Sequence, residues 1–157
     1  MDPLTKIRFV DNIHPVHGSD LPAVMEIERS CFLDPWPVNW FQAILRCRDH
    51  FSGFFNDTGP LVGYAISVIE DDQLHIANLA VHVDFRRQGI AKSLIKDAIL
   101  FGISKNSLAS FLEVRESNHS AIALYLSLGF VRERVEEFYY ENGENALILV
   151  RRNDGVV

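Results

Sequence analysis

Arg86-Arg87-Gln88-Gly89-Ile90-Ala91 joins a strand-like run, Leu74 to Val83, to an amphipathic helix that begins near Gly89. A glycine at a helix start has no side chain to shield the backbone. Successive N–H groups and the positive end of the helix dipole can then meet a phosphate. The pattern predicts an anion-binding turn, and a purely structural Gly-x-Ala turn is the alternative.

The residues after this turn predict a helix from Gly89 to Ile103. Its apolar side chains form two adjacent rows at helical spacing, Ile90, Leu94 and Ala98 in one and Ala91, Ile95 and Ile99 in the other. The Gly-x-x-x-x-Gly-Lys-Ser/Thr pattern of nucleotide-binding P-loops is absent, and so is the three-glycine dinucleotide fingerprint. The turn is therefore neither of these two nucleotide sites.

In the strand before the turn, the apolar residues switch from even-numbered to odd-numbered positions. Leu74 and Ile76 occupy even positions, whereas Leu79, Val81 and Val83 occupy odd ones. One extra residue near Ala77-Asn78 would restore the match, which predicts a β-bulge there. A bulge leaves main-chain groups unpaired, and an extended ligand can use them. The alternative is a strand buried on both faces, in which the alternation means little.

A strand with a bulge, then Arg-x-x-Gly-x-Ala, then a helix resembles the GCN5-related N-acetyltransferase (GNAT) family. The acetyl-CoA signature of that family is Gln/Arg-x-x-Gly-x-Gly/Ala, and Arg86, Gly89 and Ala91 match it. The resemblance extends from about Asp20 to Val150. It is strongest to the subgroup that acetylates protein N-termini, especially the bacterial ribosomal-protein-alanine N-acetyltransferases (RimI type). Further matching segments are Ile27-Glu28, Pro35-Trp36, Phe111 to Asn118, Ala121 to Tyr125, Leu128-Gly129-Phe130 and Tyr139-Tyr140.

The resemblance implies acetyl-CoA as the acetyl donor. Main-chain groups of the bulged strand would bind its pantetheine arm, the glycine turn would bind its pyrophosphate, and Asn118 would contact the arm, although capping a helix is the ordinary role of such an asparagine. The residues expected to bind the cofactor are Leu79, Ala80, Val81, Arg86, Arg87, Gln88, Gly89, Ile90, Ala91, Lys92 and Asn118.

Glu113 and Tyr125 are the candidate catalytic base and acid. Glu113 interrupts the apolar run Phe111 to Val114, where burial would raise the pKa of a carboxyl group. A strand carboxylate paired with Arg115 on the same face is the alternative. A tyrosine hydroxyl stays protonated at pH 7 and can donate to a departing thiolate, although helical spacing alone favours a core tyrosine at this position. The resemblance places the proton acceptor at Glu113.

Three aromatic residues, Trp36, Tyr139 and Tyr140, are expected from the resemblance to line the groove for the substrate peptide. Aromatic side chains in loops can equally cover the edge of a core. The chain departs from the pattern of the N-terminal enzymes at Pro37 and at Gly143-Glu144-Asn145. These departures bear on peptide specificity and leave the acetyl-CoA assignment unchanged.

Composition predicts one domain spanning residues 1–157 and agrees with the cytoplasmic enzyme that the resemblance implies. A chain that is 48% hydrophobic and 23% charged can bury one core, and no apolar run approaches the ~20 residues of a membrane helix. The net charge of −6 disfavours nucleic acid and favours cationic partners. Two cysteines indicate reduced thiols, and no metal site is expected around His14 and His17. His75 and His82 are typical of surface histidines, with catalysis as the rarer alternative.

The order of elements predicts an α+β, sandwich-like GNAT fold, with a mixed central sheet, a bulged fourth strand and flanking helices. The predicted helices are Asp20–Phe32, Asn39–Arg48, Gly89–Ile103 and Asn118–Leu128, and the predicted strands are Ile7–Val10, Phe51–Phe55, Leu61–Ile69, Leu74–Val83, Ala109–Val114, Phe130–Glu136 and Ala146–Val150.

The function expected from the resemblance is transfer of an acetyl group to the N-terminal α-amine of a protein, for example a ribosomal protein that begins with alanine. One alternative is acetylation of small amines or polyamines, which the acidic charge fits equally well. Another is an acyl-CoA-binding regulatory protein without turnover. The sequence does not specify the oligomeric state.

Overall fold

The computed structural model describes residues 12–47 and 49–154. The helices within these ranges are α1 (Leu21–Cys31), α2 (Val38–Cys47), α3 (Ile90–Ser104) and α4 (His119–Ser127). The strands are β1 (Ile13–Pro15), β2 (His50–Phe55), β3 (Leu61–Glu70), β4 (Gln73–Val81), β5 (Ala109–Arg115), β6 (Val131–Glu136) and β7 (Ala146–Arg152). Short 3₁₀ turns, Gly18–Asp20 and Val83–Phe85, precede α1 and α3. The predicted strand Ile7–Val10 lies outside the described residues.

The strands form one mixed sheet in the order β1-β2-β3-β4-β5-β7-β6. The β1–β2, β2–β3, β5–β7 and β6–β7 pairs are antiparallel, and β4–β5 is parallel. A parallel pair needs a long crossover connection, and α3 lies in the chain between β4 and β5. The predicted mixed sheet with flanking helices is therefore confirmed. β1 was not predicted, and it contains Pro15, which an edge strand tolerates.

The end of β4 corrects two predictions. The strand stops at Val81 rather than Val83, because the His82 Nδ1 accepts a hydrogen bond from the Asp84 N–H and caps a 3₁₀ turn. Buried and half-buried residues alternate without a break through Ala77-Asn78, and two successive residues, Ala80 and Val81, are then both buried. The burial pattern therefore changes parity three residues later than the apolar pattern of the sequence does, while the β-bulge itself stays a prediction. Asn78 is the reason, since this polar side chain is buried and continues the inward row.

The chain divides into two compact units, each described separately below. The first comprises residues up to Ser67 together with Asn78–Ala98, and the second comprises Val68–Ala77 together with residues from Ile99 onward. In the first unit, α3 packs on β2, β3 and β4 through an apolar cluster of Phe54, Val62, Ala65, Val81, Ile90 and Leu94. The rows predicted for α3 are confirmed, because Ile90, Leu94, Ile95, Ala98 and Ile99 are buried and Ala91 is half-buried.

In the second unit, alternation along β5 separates a core face from a partly open face. Leu112 and Val114 are buried, whereas Phe111, Glu113 and Arg115 are half-buried. β5 pairs with β7 along its whole length, and Glu113 lies opposite Ile148. The alternation along β5 therefore places the Glu113 carboxylate on a face that solvent can reach.

Candidate active site

The glycine turn of the first unit has the backbone that an anion site requires. Gly89 has a φ of +82° and Arg87 a φ of +63°, and α3 begins at the next residue, Ile90. A Cβ atom built on Gly89 would meet no atom within 4 Å. The glycine is therefore needed for its backbone conformation and leaves open space beside the turn. The first N–H groups of a helix have no partner inside it, so they are available to an anion.

The side chains of this turn divide into exposed and buried ones. Arg86, Arg87, Gln88, Gly89 and Lys92 are exposed, Ala91 is half-buried and Ile90 is buried in the core. Only the backbone of Ile90 can therefore reach a ligand. The Arg86 Nε donates to the Val81 carbonyl oxygen at 3.1 Å, and its Nη2 lies 3.2 Å from the Cys31 Sγ. These contacts fix the turn to the end of β4 and to the end of α1.

The residues of β4 that are predicted to bind the donor can present main-chain groups to it more readily than side chains, because their side chains are buried or half-buried. Leu79 is half-buried, and Ala80 and Val81 are buried. The Val81 carbonyl oxygen already accepts from Arg86 and from the Cys31 thiol, the latter at 3.5 Å. Any contact of this segment with a ligand would therefore use other main-chain groups.

In the second unit, Glu113 belongs to a chain of three hydrogen-bonded side chains. Its Oε2 lies 2.7 Å from the His75 Nε2, and the His75 Nδ1 lies 3.0 Å from the Glu70 Oε1. The His75 ring stacks on Phe111 at 4.5 Å between centroids with an interplanar angle of 5°. The side chains of Glu113 and His75 are each 18% exposed, whereas Glu70 is 53% exposed. The chain thus leads from the candidate base to solvent.

The two carboxylates favour protonated His75. Burial acts to lower the pKa of His75, but the hydrogen bonds and charges of Glu113 and Glu70 outweigh it, so the pKa is raised. Sequence reasoning treated His75 as typical of a surface histidine, with catalysis as the rarer alternative, and did not place it beside Glu113, where its side chain is only 18% exposed. The parallel register of β4 on β5 brings His75 to this position, because it places His75 opposite Phe111. Arg115, the alternative partner considered for Glu113, forms its ion pair with Glu144 at 3.2 Å.

Tyr125, the candidate acid, is buried in α4 and meets Phe130 edge-on at 5.7 Å between ring centroids. Burial, and then the nearby Tyr140, raise the pKa of Tyr125. The hydroxyl therefore remains protonated at neutral pH. Tyr140 is itself half-buried, and burial raises its pKa to about 12, although Arg115 acts in the opposite direction.

The hairpin between β6 and β7 carries Tyr139 and Tyr140, whose rings meet edge-on at 5.0 Å. The Arg115 guanidinium lies 3.9 Å from the centroid of the Tyr140 ring. Burial, followed by the charges of Glu113 and Glu136, raises the pKa of Tyr139, which is 50% exposed. The second unit therefore brings both tyrosines of the predicted substrate groove close to the candidate base.

Asn118 and Trp36 have well-defined local roles. The Asn118 Oδ1 caps α4 by accepting from the Ala121 N–H at 3.3 Å, so the capping alternative is confirmed while cofactor contact stays a prediction. Trp36 lies in the first unit between α1 and α2, where its backbone N–H donates to the Glu28 Oε1 at 2.8 Å. Its ring packs on Trp40 and Phe41.

Two absences hold for the residues that the structure describes. No group of three or more His, Cys, Asp and Glu side chains could hold a metal ion. In the same residues, no helix combines the length and apolar character needed to cross a membrane. Cys31 and Cys47 are free thiols.

A sequence model of the acetyltransferase (GNAT) family matches residues 21–130. The chain belongs to this family. It is accordingly an acyltransferase, and acetyl-CoA is its acetyl donor. The open glycine turn before α3 fits the phosphates of this donor.

Two relatives and one solved structure place the chain within the family. The [ribosomal protein bS18]-alanine N-acetyltransferase of Escherichia coli (strain K12) is 31% identical over 144 residues, which cover 89% of this chain and 96% of the relative. The N-alpha-acetyltransferase of Saccharolobus solfataricus is 38% identical over 147 residues, with 84% and 87% covered. The crystal structure of the ribosomal-protein-S18-alanine N-acetyltransferase from Escherichia coli superposes with a TM-score of 0.82 at 30% identity, covering 92% of this chain and 95% of that one.

Proposed function

We propose that this chain transfers the acetyl group of acetyl-CoA to the N-terminal α-amine of a protein, with a ribosomal protein as the first candidate substrate. The observation that carries the proposal is the half-buried Glu113 carboxylate, hydrogen-bonded to His75 and close to the tyrosine pair Tyr139 and Tyr140. The names of the two relatives support the same class of substrate, because one names the alanine of a ribosomal protein and the other an N-alpha position as the site of acetylation.

The first unit would hold the donor. The N–H groups at the start of α3 and the exposed side chains Arg87, Gln88 and Lys92 suit the phosphates, and main-chain groups of Leu79 and Ala80 suit the pantetheine arm. Acetyl-CoA supplies a thioester whose acetyl carbon accepts the amine. The chain's own residues supply orientation and proton transfer.

Glu113 would accept a proton from the substrate amine. At pH 7 an α-amine of pKa about 7.7 to 8.0 is roughly a tenth neutral, whereas a lysine amine of pKa about 10.4 is neutral only at about the 10⁻³ to 10⁻⁴ level. An N-terminal substrate therefore demands less of the base. His75 would orient the carboxylate through its Oε2, which leaves the Oε1 for the amine.

Tyr125 would donate a hydrogen bond, and then its proton, to the departing thiolate. Its raised pKa keeps the hydroxyl protonated at neutral pH, so the donor is always present. The same raised pKa makes complete proton transfer less favourable than from an ordinary tyrosine. The main contribution expected of Tyr125 is therefore hydrogen bonding to the sulfur.

Trp36, Tyr139 and Tyr140 would line the groove for the first residues of the peptide. We further propose that the chain functions as one acetyltransferase domain, because the family match runs through residues of both units. A cytoplasmic location is part of the proposal, and the free thiols of Cys31 and Cys47 support it.

A thiol-release assay with acetyl-CoA tests the proposal. The substrates are peptides that differ in their first residues, a peptide whose only free amine is on lysine, and a series of polyamines. We expect turnover with free N-termini and selectivity for the first residue. Turnover confined to the lysine peptide, or to polyamines, would overturn the N-terminal assignment. Binding of acetyl-CoA without thiol release from any substrate would indicate a regulatory protein.

A further inference from the structure

Glu28 is a buried carboxylate that the proposed reaction does not use. It lies in α1, is 1% exposed and accepts three hydrogen bonds. The Trp36 N–H donates to the Oε1 at 2.8 Å, and the Tyr64 hydroxyl and the Asn78 amide, the latter at 3.1 Å, donate to the Oε2. Burying a carboxylate is costly unless donors satisfy it, so this arrangement requires all three partners.

The three donors differ in what else fixes them. Tyr64 is fully buried in β3, where its ring meets Phe41 and Phe51 edge-on, and Asn78 is part of β4. Strand pairing holds the backbone of both residues. Trp36, in contrast, lies in the irregular connection 32–37 between α1 and α2.

The connection around Trp36 is largely solvent-exposed. Leu33 is 76% exposed, and Asp34, Pro35 and Pro37 are exposed as well. The hydrogen bond to Glu28 therefore ties an otherwise exposed segment to the core. It also fixes the entry of the chain into α2, whose Trp40 ring packs on Trp36 at 5.5 Å.

We propose that Glu28 is a positioning residue for the acceptor substrate, because it sets where Trp36 lies. The inference rests on the proposed function, in which Trp36 lines the peptide groove. A loss of the acceptor at position 28 would release the Trp36 segment first, since β3 and β4 stay in the sheet. The peptide KM should rise while the acetyl-CoA KM stays constant.

Trp36 and Trp40 are the two tryptophans of the chain, which permits a readout that is independent of activity. In a Trp40→Phe background, Trp36 alone reports on its surroundings and keeps an aromatic neighbour. Glu28→Met fills a similar volume but offers only a weakly accepting sulfur, whereas Glu28→Gln retains an oxygen that can accept from the Trp36 N–H. We expect acrylamide to quench Trp36 more strongly in Glu28→Met than in the background protein. Quenching in Glu28→Gln should stay close to that of the background.

Tyr64→Phe is the matched control for a purely structural role. It removes a hydrogen bond to the same carboxylate but leaves the Trp36 contact in place. Both Glu28→Met and Tyr64→Phe can lower the midpoint of urea unfolding. Only Glu28→Met should raise the peptide KM, on the order of tenfold, the factor expected for one lost hydrogen bond to a charged group.

The proposal is overturned if folded Glu28→Met leaves the quenching of Trp36 unchanged, or if Tyr64→Phe raises the peptide KM equally. A parallel rise in the acetyl-CoA KM would also overturn it. If Glu28→Met does not fold, Glu28→Asp replaces it, because the shorter side chain withdraws the acceptor by about 1.5 Å. The quenching of Trp36 tests whether Glu28 positions this residue even if no peptide is acetylated. Failure of this inference can therefore be told apart from failure of the proposed function.

Discussion

At the scale of single residues, the hydrogen-bonded chain Glu113–His75–Glu70 determines how the candidate base behaves. A histidine between two carboxylates gains stability from its protonated form, and stacking on Phe111 fixes its ring plane. The carboxylate of Glu113 is thereby held in one orientation. In the proposed reaction, proton uptake at Glu113 would be coupled to proton release from His75 and, through Glu70, to solvent.

The raised pKa of His75 predicts a pH-dependent contribution to stability. Because the folded-state pKa lies above the ordinary value of about 6.5, the stabilisation is fully present below that pH and is lost as pH rises through the folded-state pKa. The free energies of unfolding of wild type and His75→Gln, measured with urea, should therefore differ most at acidic pH. The difference between them should shrink above neutral pH. His82→Gln is the control. A difference that stays constant with pH would contradict the prediction.

Glu113→Gln should lower kcat by about 100-fold to 10⁴-fold, the usual contribution of a positioned base. The affinity for acetyl-CoA should not change, because Glu113 is not among the residues expected to bind the donor and the substitution removes a charge without changing the size of the side chain. The defect should be smaller at pH 9 than at pH 7, since the α-amine is then already neutral. Steady-state thiol release and equilibrium binding of acetyl-CoA measure the two effects. Glu26→Gln, an exposed residue of α1, is the control, and an equal loss in both variants would refute the role.

Sequence alone singled out Glu113 and Tyr125 as candidates but did not place His75 beside Glu113. The first two stand within a long matching segment, whereas the position of His75 beside Glu113 depends on the register of two parallel strands that are far apart in the chain. Register of this kind is set by packing across the sheet and leaves no local pattern. The hydrogen bonds of Glu28 leave no local pattern either, because its partners Tyr64 and Asn78 are 36 and 50 residues away in the sequence.

At the scale of elements, the four helices could be predicted to within one residue at each end, because their apolar periodicity and flanking glycine or proline residues are local signals. The position of the parity change in β4 could not be predicted correctly, because Asn78 is a polar residue that lies on the buried face. Its hydrogen bond to Glu28 makes this burial possible, and the pattern of apolar residues gives no sign of that bond. Polar residues on an inward row mislead pattern reading where tertiary partners satisfy them.

A substitution in the turn before α3 can separate the effect of backbone strain on stability from the effect of the turn on acetyl-CoA binding. Gly89→Ala should lower the free energy of unfolding by about 1 to 2 kcal/mol, because a Cβ is unfavourable at positive φ. It should also weaken acetyl-CoA binding, since the turn would relax and its N–H groups would shift. Gly59→Ala is a matched control, with a φ of +109° and open space around the Cβ. Equal stability losses with equal acetyl-CoA affinities, measured by calorimetry, would contradict the assignment of the turn.

At the scale of the whole molecule, the resemblance to known acetyltransferases implied the mixed sheet with flanking helices correctly, whereas the order of its seven strands is known only from the structure. What composition does contribute is the charge. A net charge of −6 creates a field that attracts cationic substrates and repels acidic ones, and this effect acts on association rather than on the chemical step.

The charge therefore predicts how turnover responds to salt. For a peptide that carries several lysine or arginine residues after its free N-terminus, kcat/KM should fall several-fold as the Debye length shrinks from about 30 Å at 0.01 M to about 8 Å at 0.15 M ionic strength. The kcat should stay constant, because the bound complex is not altered. A peptide with the same first residues and a neutral remainder should show little change. Equal salt responses of the two peptides would mean that the acidic surface serves solubility and has no part in selecting the substrate.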